Sequence, residues 1–96
     1  MFKSLDPLLH SELRLAIMSL VIATTEAEFG QIREKTGATA GNVSVQLQKL
    51  EEVGYIAVKK SFRGKYPLTT CKITRKGINA FEAYVEALKD YLRPTP

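Results

Sequence analysis

The chain has one cysteine, one histidine and no tryptophan in 96 residues. A single cysteine excludes an intramolecular disulfide framework, and Cys71 with His10 falls short of the four ligands of a structural zinc site. No apolar run reaches the ~18 residues of a membrane span; the richest stretch, Leu13 to Ala23, is interrupted by Arg14 and Ser19. No secretory leader is legible, so the expected setting is a reducing cytoplasm. There is no Ser/His/Asp, Cys/His or paired-carboxylate constellation, and Gly37 and Gly41 do not form a phosphate-binding loop. The expectation is therefore no catalytic residue, no metal, no cofactor and no enzyme. Internal repeats, low-complexity tracts and linkers are also absent, which leaves one domain, residues 1–96.

What is present is an uneven charge. The net charge is +4. Between residues 55 and 76 stand Lys59, Lys60, Arg63, Lys65, Lys72, Arg75 and Lys76, with no acid among them. The segments on either side are each slightly acidic. A basic patch this concentrated suits nucleic acid, an anionic membrane surface or an acidic protein.

The stretch from Thr39 to Gly54 reads as one helix, residues 39–54, with Thr39 as N-cap and Gly54 as its stop. At about 100° per residue, Val43, Leu47 and Leu50 form one apolar stripe. The opposite face carries Gly41, Val45, Gln48 and Lys49, flanked by Asn42 and Ser44. Small, hydrogen-bonding side chains there suit close approach to base edges in a DNA groove.

Ahead of it, Asp6-Pro7 offers one helix start and Ser11 a second; the helix then runs to about Ala23. Leu13, Ile17 and Leu20 form one stripe, and Leu8, Leu15, Met18 and Ile22 another nearly opposite, which predicts two surfaces to bury. Thr25-Glu-Ala-Glu28 matches a capping box. A short helix follows, with Phe29 and Ile32 inward, and Gly37 ends it. Helix, three-residue turn with glycine, helix is a helix-turn-helix pattern.

After Gly54 the period becomes two. Tyr55–Lys60 and Thr69–Thr74 read as strands, with Ile56, Val58, Cys71 and Ile73 inward. Gly64 supplies a positive φ at the tip, and Pro67 is expected to open the strands into a long basic loop. The hairpin, 55–74, is the only β structure predicted. Phe62 and Tyr66 are expected to pack on the hairpin base, Cys71 to be buried, and His10 to make a local hydrogen bond. Thr74 caps a last helix, 75–92, whose stripe of Ile78, Phe81, Val85, Leu88 and Leu92, widened by Tyr84 and Tyr91, is broad enough for a dimer seam. Arg75 and Lys76 oppose that helix's macrodipole.

The runs Leu5-Asp-Pro-Leu-Leu-His-Ser-Glu-Leu-Arg14, Gly41-Asn-Val-Ser44, Leu47-Gln-Lys-Leu-Glu-Glu-Val-Gly-Tyr-Ile56 and Ile73-Thr-Arg-Lys-Gly77 resemble the small MarR/ArsR-like winged-helix transcriptional regulators of bacteria and archaea. The resemblance spans nearly the whole chain and is most specific from Gly41 to Ile56. It implies a mainly α fold with a small β-hairpin: a winged helix-turn-helix, dimerising through its first and last helices. It also implies a homodimeric, sequence-specific regulator of double-stranded DNA. The helix from Thr39 would be the recognition helix, with Thr39 among its DNA-binding residues, Gly41, Asn42, Ser44, Val45 and Gln48 near bases and Lys49 near phosphate. Gln46 takes the place where relatives often carry a DNA-facing histidine, although the helical wheel puts it on the flank. Lys59, Lys60, Arg63, Lys65 and Lys72 would serve the wing, with Arg63 and Lys65 at the minor groove or its phosphates. Leu8, Leu15, Met18, Ile22, Phe81, Tyr84, Val85, Leu88, Tyr91 and Leu92 would form the dimer interface. No effector is implied, since metal-sensing relatives use Cys and His clusters and drug-sensing ones are longer. Two other readings remain open: a protein-interaction module with a basic face, and a nonspecific architectural DNA binder.

Overall fold

A computed structural model describes residues 2–94. The elements run α1 (Glu12–Thr24), β1 (Glu26–Glu28), α2 (Phe29–Thr36), α3 (Ala40–Glu52), β2 (Ile56–Arg63), β3 (Tyr66–Ile73) and α4 (Arg75–Leu92). Four helices and a small sheet are thus as expected; the sheet itself has three strands rather than two, in the order β1-β3-β2.

Of the two possible starts for α1, Ser11 is the one used: its hydroxyl accepts from the Arg14 N–H. Asp6 closes a turn instead. Its carbonyl accepts from Leu9 and His10, and its carboxylate accepts from the Leu8 N–H at 2.9 Å. That turn drops Leu9 into the core, fully buried. The inward face of α1 is Ile17, Met18 and Val21. Met18 has no exposed surface within one subunit, which corrects its assignment to a dimer interface: a buried side chain has nothing to present to a second copy. Leu8, Leu15 and Ile22 are half-buried.

Thr25 ends α1 at φ 66°. The reversal lays Glu26–Glu28 alongside β3, pairing Glu26 with Lys72, Ala27 with Cys71 and Glu28 with Thr70. Thr25 is therefore not the N-cap of α2. The capping position of α2 is Glu28, whose N–H donates to the Gln31 side chain at 2.9 Å, three residues later than the sequence pattern indicated. Gly37, at φ 72°, closes α2. Two residues on, the Thr39 hydroxyl accepts from the Asn42 N–H and opens α3. Val43, Leu47 and Leu50 are its buried face.

The hairpin is paired almost to its tip. Ile56 faces Ile73, and the register continues through Phe62 opposite Pro67 to Arg63 opposite Tyr66. The expected open loop is a two-residue turn, with Gly64 at φ 63° in its first position, the place where glycine is needed in a type II′ turn. Pro67 does not break the ladder because β1 stops at Glu28, opposite Thr70, leaving β3 a free edge beside the proline. Cys71 is fully buried between Ala27 and Val58.

The Thr74 hydroxyl accepts from the Gly77 N–H and starts α4. Along α4, Gly77, Tyr84 and Ala87 face inward, and Tyr84 shares a 3.0 Å hydrogen bond with His10 Nδ1. Tyr84 is 5% exposed, so it too belongs to the subunit's own core rather than to the surface. Val85, Tyr91 and Leu92 remain exposed, while Phe81 and Leu88 are half-buried. Phe2 lies 5.1 Å from the Tyr91 ring, and the Tyr91 hydroxyl donates to the Lys3 carbonyl, so the N-terminal segment runs back along the end of α4.

Candidate nucleic-acid interface

Two elements make the surface: the outer face of α3 and the wing formed by β2 and β3. Gly41, Asn42, Ser44, Val45, Gln48 and Lys49 are all exposed on α3. A Cβ added at Gly41 would meet no atom within 4 Å, so this start of the helix is open to a close partner. Val45 is 48% exposed, an apolar group set among hydrogen-bonding ones, as a contact to a thymine methyl requires. Between α3 and the wing runs a groove of about 470 Å³, with Ser44, Gln48, Glu51, Lys60 and Thr69 around a floor of Phe29, Leu47 and Val58.

The wing's charges do not all share that surface. Side chains alternate across a sheet. Lys60 and Phe62 fall on the face of Ile56 and Val58, toward α3, whereas Lys59, Arg63 and Lys72 fall on the other. Lys72 stands far from the turn, opposite Ala57 in the hairpin and next to Glu26 of β1. The structure therefore places Lys60 with α3 and sets Lys59, Arg63 and Lys72 on the other face, while Lys65 stands in the turn at the wing's tip. Arg63 is ion-paired with Glu28 of β1, its own side chain 67% exposed and that of Glu28 33%. Phe62 and Tyr66 are 72% and 78% exposed: they stand out from the hairpin instead of packing on its base. The strand is simply too far from the core at that distance for the base to cover them.

Gln46 is held. Its Oε1 accepts from Arg14 Nη1 at 2.5 Å, and its Nε2 donates to Asn42 Oδ1 at 2.9 Å. Arg14 is itself fixed by its Nε–H, which donates to the Leu8 carbonyl. Neither Arg14 nor Glu28 was singled out from the sequence. The signal for Arg14 was a lone charge inside the apolar run Leu13–Ala23, which calls for a partner. Glu28 had none until β1 was known.

Away from this surface, burial pushes the Cys71 thiol up to about 11, helped by the charge of Glu51, so it carries no thiolate at neutral pH. The Tyr55 hydroxyl is pushed up to about 12 by burial and by its 2.5 Å bond to the Asp6 carboxylate. Lys76 lies 6.0 Å over the Tyr55 ring. Among the described residues, no three His, Cys, Asp or Glu side chains gather in a way that could hold a metal ion, and no helix is long and apolar enough to cross a membrane.

A family model described as a winged helix DNA-binding domain matches residues 13–92. An uncharacterized protein of Methanocaldococcus jannaschii is 38% identical over 76 residues, 79% of this chain and 83% of the relative. Among solved structures, a transcriptional regulator homologue from Pyrococcus horikoshii OT3 superposes with a TM-score of 0.82 at 27% identity, covering 88% of this chain and 84% of that one. A regulator of the ArsR family, RHA00566, shares the fold at 18% identity, with a TM-score of 0.64 over 93% of this chain and 87% of its own.

Proposed function

Because the chain belongs to the winged helix DNA-binding domain family, and so to DNA-binding transcription regulators, we propose that it acts as a homodimer on a pseudo-palindromic duplex. One α3 enters the major groove at each half-site, and the tip of each wing follows the minor groove or its backbone. The observation that carries this reading is the exposed face of α3, where Gly41, Asn42, Ser44, Val45 and Gln48 offer small polar and apolar contacts with no ordinary solvated pattern of alternating Lys and Glu. Lys49 and Lys60 supply the positive charge beside it, and Arg63 and Lys65 that of the wing's tip; Lys59 and Lys72 contribute at longer range. Thr39 acts by capping α3. The dimer forms on the outer side of α4, through Val85, Leu88, Tyr91, Leu92 and Phe81, with Leu8, Leu15 and Ile22 at its border. The setting is cytoplasmic, where DNA and a reduced Cys71 are found together.

The test is selection of bound duplexes from a random library, with the winners titrated at 50 and 200 mM salt. A two-fold-related motif that binds far tighter than bulk DNA is expected. With about 6–10 phosphates contacted per dimer, affinity should fall on the order of 10³–10⁵-fold between those salts. Salt-sensitive binding with no enriched motif would make the protein an architectural binder. No binding at low salt would move its basic face to an acidic protein partner.

A further inference from the structure

The chain Leu8 carbonyl, Arg14, Gln46, Asn42 runs from the turn ahead of α1 to the exposed face of α3, and its chemistry fixes its direction. A guanidinium has donors only. The Gln46 atom that faces Arg14 at 2.5 Å must therefore be the amide oxygen. The amide nitrogen then points the other way, along the helix to the residue one turn before, and the Asn42 atom that meets it at 2.9 Å must be Oδ1. Reversing either amide would set two donors face to face, with no acceptor between them. Arg14 cannot turn away, because its Nε–H is engaged by the Leu8 carbonyl. Asn42 is exposed, so the group left facing outward is its NH2. A full positive charge at the start of the chain polarises each amide in turn and strengthens the last donor.

We infer that Arg14 and Gln46 are positioning residues that lock Asn42 as a hydrogen-bond donor, so that Asn42 selects a base presenting only acceptors to the major groove, guanine foremost. The inference rests on α3 reading DNA. A free asparagine chooses between donor and acceptor by rotating its amide and tolerates several bases. A locked one does not: guanine offers O6 and N7, while cytosine offers only the N4 donor, which would oppose the Asn42 NH2. Gln46 itself reads nothing, since both ends of its amide are occupied within the subunit.

The test is library selection with the wild type and with Gln46→Glu. A glutamate at 46 still accepts from Arg14 but has only acceptors for Asn42, whose amide must turn over and present Oδ1 outward. The expected result is an enriched motif whose preference at one position per half-site moves from guanine to cytosine or adenine, by about tenfold or more each way, with the other positions unchanged. Arg14→Met, which frees the relay without adding charge, should flatten that same position and leave the rest of the motif intact. A wild-type motif that both variants reproduce unaltered would overturn the relay while leaving DNA reading in place. No motif for the wild type would overturn both. Should Gln46→Glu fail to fold, the Arg14→Met profile decides alone. In the free protein, exchange of the Gln46 side-chain amide protons reads the relay without DNA: slowed in the wild type and fast in Arg14→Met is expected, and equal rates would overturn the lock.

Discussion

A Cβ added at Gly77 would stand 2.1 Å from the carbonyl oxygen of Tyr55, a backbone atom that cannot swing aside. The start of α4 and the link between α3 and β2 meet there, so Gly77→Ala must push the two apart. Overpacking of this kind costs up to on the order of 3 kcal/mol, which for a domain of this size lowers the melting temperature by roughly 10–20 °C; a thermal melt checks it. A second prediction concerns alkaline pH. The Cys71 thiol and the Tyr55 hydroxyl have ordinary values of 9.0 and 10.0 and are raised to about 11 and about 12 in the fold. The folded chain keeps these protons longer than the unfolded one. Their contribution to stability is therefore complete below pH 9 and is lost as pH rises, first through 9–11 for Cys71 and then toward 12 for Tyr55. Denaturant melts at pH 8 and pH 10 should show this fall in the wild type and a smaller one in Cys71→Ala, which starts less stable because it leaves a small void. Identical falls in the two would remove the thiol as the source.

The wing carries its own consequence, because its arginine is already occupied. Arg63 is paired with Glu28 of β1, so on the proposed reading a DNA phosphate would have to compete with Glu28 for it. Glu28→Gln keeps an acceptor for the start of α2 and removes the charge, so it should raise affinity for every duplex, whatever its sequence. An exposed pair is worth ~0–1 kcal/mol, hence a gain of up to about fivefold. Arg63→Ala should do the reverse and reduce the salt slope by about one. Filter binding at several salts measures both; a Glu28→Gln gain confined to the preferred motif would contradict simple competition. This pairing also shows where the sequence was opaque. The ends of α3 were legible, because Thr39 and Gly54 act through their own backbone neighbourhood, and so was its inward stripe. β1 was not: three residues, Glu-Ala-Glu, carry one apolar side chain, and their pairing is dictated by β3, some 45 residues away. Without β1 the capping box fell on Thr25 instead of Glu28, and the partner of Arg63 was invisible. The hairpin's bounds are legible, but how far its strands pair toward the tip is not, for a related reason. Pro67 forbids a ladder bond only where a strand lies on that side, and the sequence does not say that β3 has a free edge there. The direction of Gln46 was half legible: the wheel put it on the flank, but only the position of Arg14 supplied its partner.

Each chain offers one α3, so the proposed two-fold site can be read only by a pair, and among the described residues the large apolar side chains exposed away from α3, its C-terminal end and the wing are Phe2 and those of α4. Val85, Tyr91 and Leu92 are 38%, 44% and 70% exposed on a helix whose inner side is already buried against the core. The N-terminal segment covers part of this end through Phe2 and Lys3 and leaves Val85 and Leu92 exposed. On α1, Ile17 and Met18 are fully buried within the chain's own core, which leaves α4 as the helix with the broader exposed apolar side. Val85→Glu tests this, because it places a charge in the seam without touching the core, α3 or the wing. Sedimentation should give a dimer for the wild type at micromolar concentration and a folded monomer for the variant. On the proposed reading, two half-sites about 34 Å apart would bind one dimer with an avidity on the order of 10²–10⁴-fold above a single half-site. Val85→Glu should therefore lose that factor on the two-site duplex and almost nothing on a half-site duplex. Equal losses on both duplexes would mean that the substitution had disturbed α3 or the wing. A wild type that sediments as a monomer, and binds the two duplexes alike, would remove the dimer altogether and leave each half-site to be read alone.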